Sequence, residues 1–180
     1  SFLKYKINKK FLFLDNLEDR NSFKLNNFIS NNKVLFIAIS KSGNTLETLA
    51  NLSLIKKIGI NSKNTILISE YKDNTFKSIS NKYNIPIIEH KPQIGGRYSI
   101  FSEANIVPII LMGVNIKKFK KNILKHFDKS NKLLIGKHLT YLSKVYLSKK
   151  INNLIFFNYS PYLDNFMFWA QQLVAESLGK

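Results

Sequence analysis

The chain is expected to fold as an α/β protein. The prediction is a parallel sheet flanked by helices in three Rossmann-like layers, followed by the start of a second α/β unit. Three observations predict it. Short apolar runs rich in β-branched residues recur along the chain. Longer stretches of helical period lie between them. Turn and capping residues separate the two, and parallel strands joined by helical crossovers follow from that alternation.

The elements follow in order. Phe11 to Leu14 is a short apolar run ending in Asp15-Asn16. Val34 to Ile39 reads as a buried strand. A glycine turn follows it, then a helix from Thr45 to Ile58 that Gly59 ends. Thr65 to Ile68 is the next strand, and Asp73 or Asn74 can cap a helix reaching Tyr83. Ile85 to Ile88 is a short strand whose Pro86 suits an edge or a strand start. From Ser102 to Lys149, apolar residues mixed with lysines predict two or three helices, among them Ile116–Phe127 and Lys132–Ser148. Leu154 to Phe157 is expected to be a strand of the second unit. Asn158 to Pro161 is a turn, and Tyr162 to Leu178 a last helix with Gly179 at its C-cap.

Composition narrows the function classes. With 180 residues, 44% of them hydrophobic, the chain can bury a substantial core and is not a disordered polymer. It has no cysteine, which excludes disulfides, thiolate metal sites and cysteine nucleophiles. The net charge is +17, from 28 basic and 11 acidic residues. Such a balance raises nucleic acid or an anionic membrane as partners. However, only Arg20 and Arg97 are arginines, and arginine is the preferred bidentate reader of phosphate and guanine. Lysine is accompanied by 22 asparagines and 23 isoleucines. These residues share A/T-rich codons, so genome composition is enough to explain the charge without a partner, and no specific nucleic-acid partner is expected.

No targeting segment is visible, and the run Ile106 to Val114 contains Pro108 and is too short to cross a bilayer. The expectation is a soluble, cytoplasmic protein without a membrane partner. Ser1 rather than methionine stands first, which predicts a piece of a longer chain.

Parallel sheets bind ligands at the carboxyl ends of their strands, so the residues after Ile39, Ile68 and Ile88 are the place to look. Ser40-Lys41-Ser42-Gly43-Asn44-Thr45 lies after a strand and opens a helix. Hydroxyls, a lysine and unpaired backbone N–H groups meet there at the positive end of a helix dipole, a design for binding phosphate. It lacks the spacing of a Walker loop, and a simple capped helix is the plainer reading.

Ile94-Gly95-Gly96-Arg97-Tyr98-Ser99 is the second stretch. Gly95 and Gly96 would let backbone approach a ligand, and Arg97 offers a planar, permanent charge suited to an enediolate or carboxylate oxygen. A turn with an exposed arginine explains the same residues. In the third stretch, Gln171 to Lys180, Gln172 and Glu176 share one helix face. A glutamate at a helix C-terminus opposes the dipole, which marks either a functional carboxylate or a solvated end residue. His90, His126 and His138 lack metal-ligand spacing and are expected to be packed or solvated; no metal is expected. Trp169, with Phe166 and Phe168, is expected to pack the last helix.

Taken in order, the three stretches resemble the glucose-6-phosphate isomerase family, whose motifs are S-K-[ST]-x-x-T-x-E-T, G-G-R-[YF]-S and Q-x-x-x-E-S-x-G-K. Leu14-Asp15-Asn16 also resembles the family's segment before the first motif. The Gly43-Asn44 form of the first loop is similar to the broader sugar-isomerase (SIS) domains. The resemblance implies two nested SIS subdomains: residues 1–112 most of the first, 113–150 connecting helices, and 151–180 the start of the second.

The resemblance also implies reversible conversion of glucose 6-phosphate to fructose 6-phosphate with no cofactor. Ser40, Lys41, Ser42 and Thr45 would hold the substrate phosphate, with Gly96 and Gln172 also lining the substrate. Arg97 would stabilise the cis-enediolate, Glu176 would move the proton between C1 and C2, and Glu47 would support a partner histidine. A positioned base and a cation on the enediolate oxygen are what that chemistry needs. The family's upstream Gly-Gly-Ser loop and its downstream histidine and lysine have no counterpart in this chain, which implies an incomplete site. The family is normally a homodimer. Two other readings are a different SIS-type sugar-phosphate isomerase and a non-catalytic phosphosugar-binding module.

Overall fold

The computed structural model describes residues 9–179 apart from Asp19, Asn31 and Asn152. The chain divides into two compact units, Ser1–Gly113 and Val114–Lys180.

The first unit is built on a three-stranded parallel sheet in the order β1-β2-β3. The strands are β1 (Phe36–Ile39), β2 (Thr65–Ser69) and β3 (Ile87–Glu89). Helices α1 (Asn21–Ser30), α2 (Leu46–Lys56), α3 (Thr75–Tyr83) and α4 (Glu103–Leu111) complete it. The predicted α/β class with parallel strands and helical crossovers is the observed one. Ala38 pairs with Leu67, and Leu67 with Ile87. All three lie on one face of the sheet, because side chains alternate along a strand. They join Leu25, Phe36, Leu52, Ile55, Phe76 and Ile85 in the hydrophobic core. On the other face Ile39 is 37% exposed.

The element ends have local causes. Pro86 accepts a hydrogen bond from the Leu67 N–H at 3.0 Å but has no N–H to give, so β3 starts at Ile87 rather than Ile85. Asn74 caps α3, its side chain accepting from the Lys77 N–H at 2.9 Å. Helix α1 was not expected from the sequence. It is rich in asparagine and serine, which are weak helix formers, and it is held by Leu25 and Ile29 packing on the core. The 3-10 turn Gly96–Phe101 leads into α4, which Ser102 caps and which tolerates Pro108 in its second half.

Within the second unit, α5 (Ile116–Leu124), α6 (Lys129–Leu147) and α7 (Asp164–Leu178) are joined by 3-10 turns at Lys125–Phe127 and Pro161–Leu163. Asn115 caps α5 and Asp128 caps α6. Hydrogen bonds from the Asn131 N–H and the Ser130 hydroxyl hold the Asp128 carboxyl below its usual range. The expected strand at Leu154–Phe157 does not form; the segment has no regular structure, and Phe157 is 74% exposed. A strand needs a ladder partner, and the described residues of this unit contain no other strand. Gly179 occupies the C-cap of α7, its N–H donating to the Ala175 carbonyl.

Candidate active site

The loop after β1 is ordered by its own hydroxyls. Ser40 is buried, and its N–H donates to the Ile68 carbonyl at 3.0 Å, carrying the ladder one residue past the strand. Its Oγ lies 2.7 Å from Thr45 Oγ1 and accepts from the Gly43 N–H at 3.1 Å. Ser42 Oγ accepts from the Asn44 N–H at 3.2 Å. Thr45 is the N-cap residue of α2, but its side chain makes no capping bond. Its hydroxyl is held by Ser40 instead, so the opening N–H groups of α2 carry no side-chain cap. Uncapped N–H groups at the positive end of a helix are suited to an anion. Glu47 sits exposed in that first turn.

Gly43 lets the loop close. Its φ is +70°, and a Cβ there would stand 2.5 Å from Asn74 Cγ. The Gly43 carbonyl accepts from the Phe76 N–H, and Asn44 Oδ1 accepts from both the N–H and the hydroxyl of Thr75 at 2.9 and 2.8 Å. These bonds fasten the loop to the start of α3.

Lys41 points across the sheet end rather than along the loop. Its Nζ donates to the carbonyls of Pro92 at 2.9 Å and Ile94 at 2.7 Å, and lies 3.5 Å from Glu70 Oε1. Glu70, the first residue beyond β2, is buried and also pairs with Lys72 at 2.5 Å. The Lys72 hydrogen bond, helped by the charges of Lys72 and Lys41, holds the Glu70 carboxyl below its ordinary value against the opposing effect of burial. The loops after all three strands are thereby joined: Lys41 follows β1, Glu70 follows β2, and Pro92 and Ile94 follow β3.

The turn that Lys41 grips runs into Gly95-Gly96-Arg97. Gly96 is exposed, and a side chain there would meet only open space. Arg97 is half-buried, with its guanidinium 5.5 Å from the centre of the Tyr98 ring. The Ser99 carbonyl accepts from the Ser102 N–H and hydroxyl and from the Asn105 amide, tying this turn to α4.

In the second unit, Gln172 and Glu176 sit on α7. Gln172 Nε2 donates to Glu176 Oε1 at 2.8 Å, the contact expected of residues four apart on one helix face. Both are exposed. Lys180, which ends the third motif, lies outside the described residues.

The sequence points to Ser40 through Thr45 and to Asp73 or Asn74 as a helix cap, but not to Glu70, to the Asn74 contact with Gly43 or to the Lys41 contacts. Glu70 stands directly after β2, where a ligand site was expected, so its position was a usable signal. Its partner Lys72 lies two residues on in the same loop, whereas Lys41 reaches it from the loop after β1, a contact that spacing along the chain does not reveal. Of the histidines, His90 is buried, whereas His126 and His138 are exposed. Among the described residues no cluster of three or more potential ligands could hold a metal ion, and no helix is long and apolar enough to cross a membrane.

The chain matches no protein-family model. It is 30% identical to the glucose-6-phosphate isomerase of Methanocaldococcus jannaschii, over 96% of this chain and 45% of that protein. It is 33% identical to the glucose-6-phosphate isomerase of Borreliella afzelii, over 93% of this chain and 34% of that one. The isomerase of Campylobacter jejuni is 30% identical over 97% of this chain and 44% of its own length. The likeness to glucose-6-phosphate isomerases thus extends over nearly the whole chain, and the chain spans less than half the length of each of these relatives. The crystal structure of a hypothetical protein from Thermus thermophilus shares the fold, with a TM-score of 0.74 at 24% identity, over 95% of this chain and 43% of that one.

Proposed function

We propose that this chain is part of an aldose–ketose isomerase that interconverts glucose 6-phosphate and fructose 6-phosphate through a cis-enediolate. The observation that carries the proposal is the loop after β1. Its hydroxyls are mutually ordered and the helix it opens has no side-chain cap, an arrangement that fits a phosphate monoester. The likeness to glucose-6-phosphate isomerases supports the same reading.

In this reading Ser40, Ser42, Thr45 and the first N–H groups of α2 hold the phosphate. Lys41 adds positive charge beside it, and Gly96 allows backbone to approach the sugar. The Glu176 carboxylate removes the proton from C2 of the open-chain aldose. The electron pair of that C–H bond becomes the C1–C2 double bond, and the carbonyl pair moves to O1. The same carboxyl returns the proton to C1 while the O2 hydrogen transfers to O1, leaving the ketose. Arg97 stabilises the enediolate charge. Gln172 orients Glu176, and Glu47 supports a histidine outside this chain. Each proton removed is returned, so no redox cofactor is required.

Residues 1–112 would then be most of a first SIS subdomain, 113–150 connecting helices, and 151–180 the start of a second. The whole protein would act as a cytoplasmic homodimer in glycolysis and gluconeogenesis, with no nucleic-acid or membrane partner. The test is a coupled isomerase assay on the whole protein. Glu176→Gln should lower turnover by roughly 10²–10⁴-fold, as for loss of a general base. Phosphosugar binding without wild-type turnover would overturn the isomerase and leave a binding module.

A further inference from the structure

His90 has no part in the reading above, yet it is among the most deeply buried polar residues described. It follows the last residue of β3, and its backbone N–H donates to the Ser69 carbonyl at 2.7 Å. Its side chain is 2% exposed. Neither ring nitrogen has a hydrogen-bond partner among the described residues, and neither does the buried Oε2 of Glu103. These orphaned groups face each other, with His90 Nδ1 3.5 Å from Glu103 Oε2.

Leaving a polar atom buried without a partner is costly, so two such atoms side by side call for a proton between them. Glu103 is the first residue of α4, where the helix dipole favours a carboxylate. An ionised carboxylate can only accept, so the donor has to be Nδ1–H.

The pair has a particular place in the chain. His90 and Glu103 bracket residues 91–102, which hold Gly95, Gly96, Arg97 and the 3-10 turn. Lys41 fastens the first part of that segment, and the Ser99 carbonyl fastens the last. A His90–Glu103 hydrogen bond would close the segment at its base by joining the end of β3 to the start of α4.

We propose that His90 is a positioning residue: it carries a proton on Nδ1, donates it to Glu103, and so sets the placement of the Arg97 turn. Its effect on turnover rests on the isomerase reading, whereas the hydrogen bond itself does not.

The first experiment is a long-range ¹H–¹⁵N correlation spectrum of the whole protein labelled with ¹⁵N on histidine. The signals lost in His90→Asn are those of His90. A proton on Nδ1, in the neutral ring or the imidazolium, with signals that move on Glu103→Gln, supports the pair. A neutral ring protonated only on Nε2, or signals that Glu103→Gln leaves in place, overturns it.

The second experiment measures kinetics of the whole protein. His90→Leu should lower kcat by roughly 10–100-fold with little change in KM, since small misplacement of a reacting group costs rate on that scale. His90→Asn, whose amide nitrogen can stand near Nδ1, should recover most of the loss. Equal kcat in His90→Leu and wild type would overturn the positioning role. Should His90→Leu not fold, Glu103→Gln and His90→Asn carry the comparison. A wild type without turnover defeats the isomerase reading, and the spectrum still decides the pair.

Discussion

Lys41 and Ile94 stand 53 residues apart and are joined by a 2.7 Å hydrogen bond from ammonium to carbonyl. The bond makes the loop after β1 and the turn before Arg97 one assembly. An ammonium has three protons, and Pro92, Ile94 and Glu70 lie in reach of all three. Lys41→Met should therefore loosen the turn as well as remove charge. Hydrogen exchange of the amides from Arg97 to Phe101 should speed up in that variant, and Lys41→Arg should restore only part of the protection, because its planar fork donates in different directions. Unchanged exchange in Lys41→Met would show that the tie does not hold the turn.

Gly43→Ala should be strongly unfavourable for its size. The backbone is left-handed there, and the new methyl group would collide with the Asn74 side chain at 2.5 Å. A loss of about 1–3 kcal/mol is expected in urea unfolding. The loop after β1 should distort with it, so if that loop holds the phosphate as proposed, inorganic phosphate binding should weaken in the same variant.

Asn74 works at both ends of its amide. Its oxygen caps α3, and its nitrogen donates to the Glu70 carbonyl at 3.1 Å. Asn74→Ala should cost about 1–2 kcal/mol, at the upper end for a helix cap because the site is buried. Asn74→Asp keeps the cap and loses the second bond, so it should fall between the two in the same unfolding measurement.

Glu70 links stability to pH. Its carboxyl is held below the ordinary glutamate value of 4.5, chiefly by Lys72. A lowered folded-state value means the unfolded chain takes up the proton first as pH falls. The stabilisation is fully present above about pH 4.5 and is lost as pH drops through the lower folded value. Wild type should thus exceed Glu70→Gln in unfolding free energy at neutral pH, with the gap closing in acid. A gap that does not change with pH would show that the ion pairs contribute nothing.

Gln172 should matter through Glu176. The 2.8 Å hydrogen bond from its amide holds Glu176 Oε1, so Gln172→Leu should remove that restraint on the carboxylate. In the isomerase assay of the whole protein kcat should fall by roughly 10-fold with little change in KM, as for a misplaced reacting group. A raised KM with unchanged kcat would assign Gln172 to the substrate instead.

The α/β class and the parallel strands were legible because local signals determine them. Continuous β-branched runs, helix caps and glycine turns act over a few residues, as Asn74 before α3 and Gly59 after α2 illustrate. The ordered loop after β1 was legible for the same reason, since Ser40, Gly43 and Thr45 organise one another within six residues. Other features depended on partners distant in sequence. Helix α1 is composed of weak helix formers and is held by the core that Leu25 enters. Leu154 to Phe157 has the composition of a strand, but the described residues of its unit offer no strand to pair with. The join of Lys41 to Ile94, the burial of Glu70, and the meeting of His90 with Glu103 each require two loops to be brought together by the register of the sheet. Sequence determines which groups are available within a turn or a helix face. Only tertiary structure decides which donors and acceptors from different loops are buried together, because that pairing depends on where the strands end in space rather than on spacing along the chain.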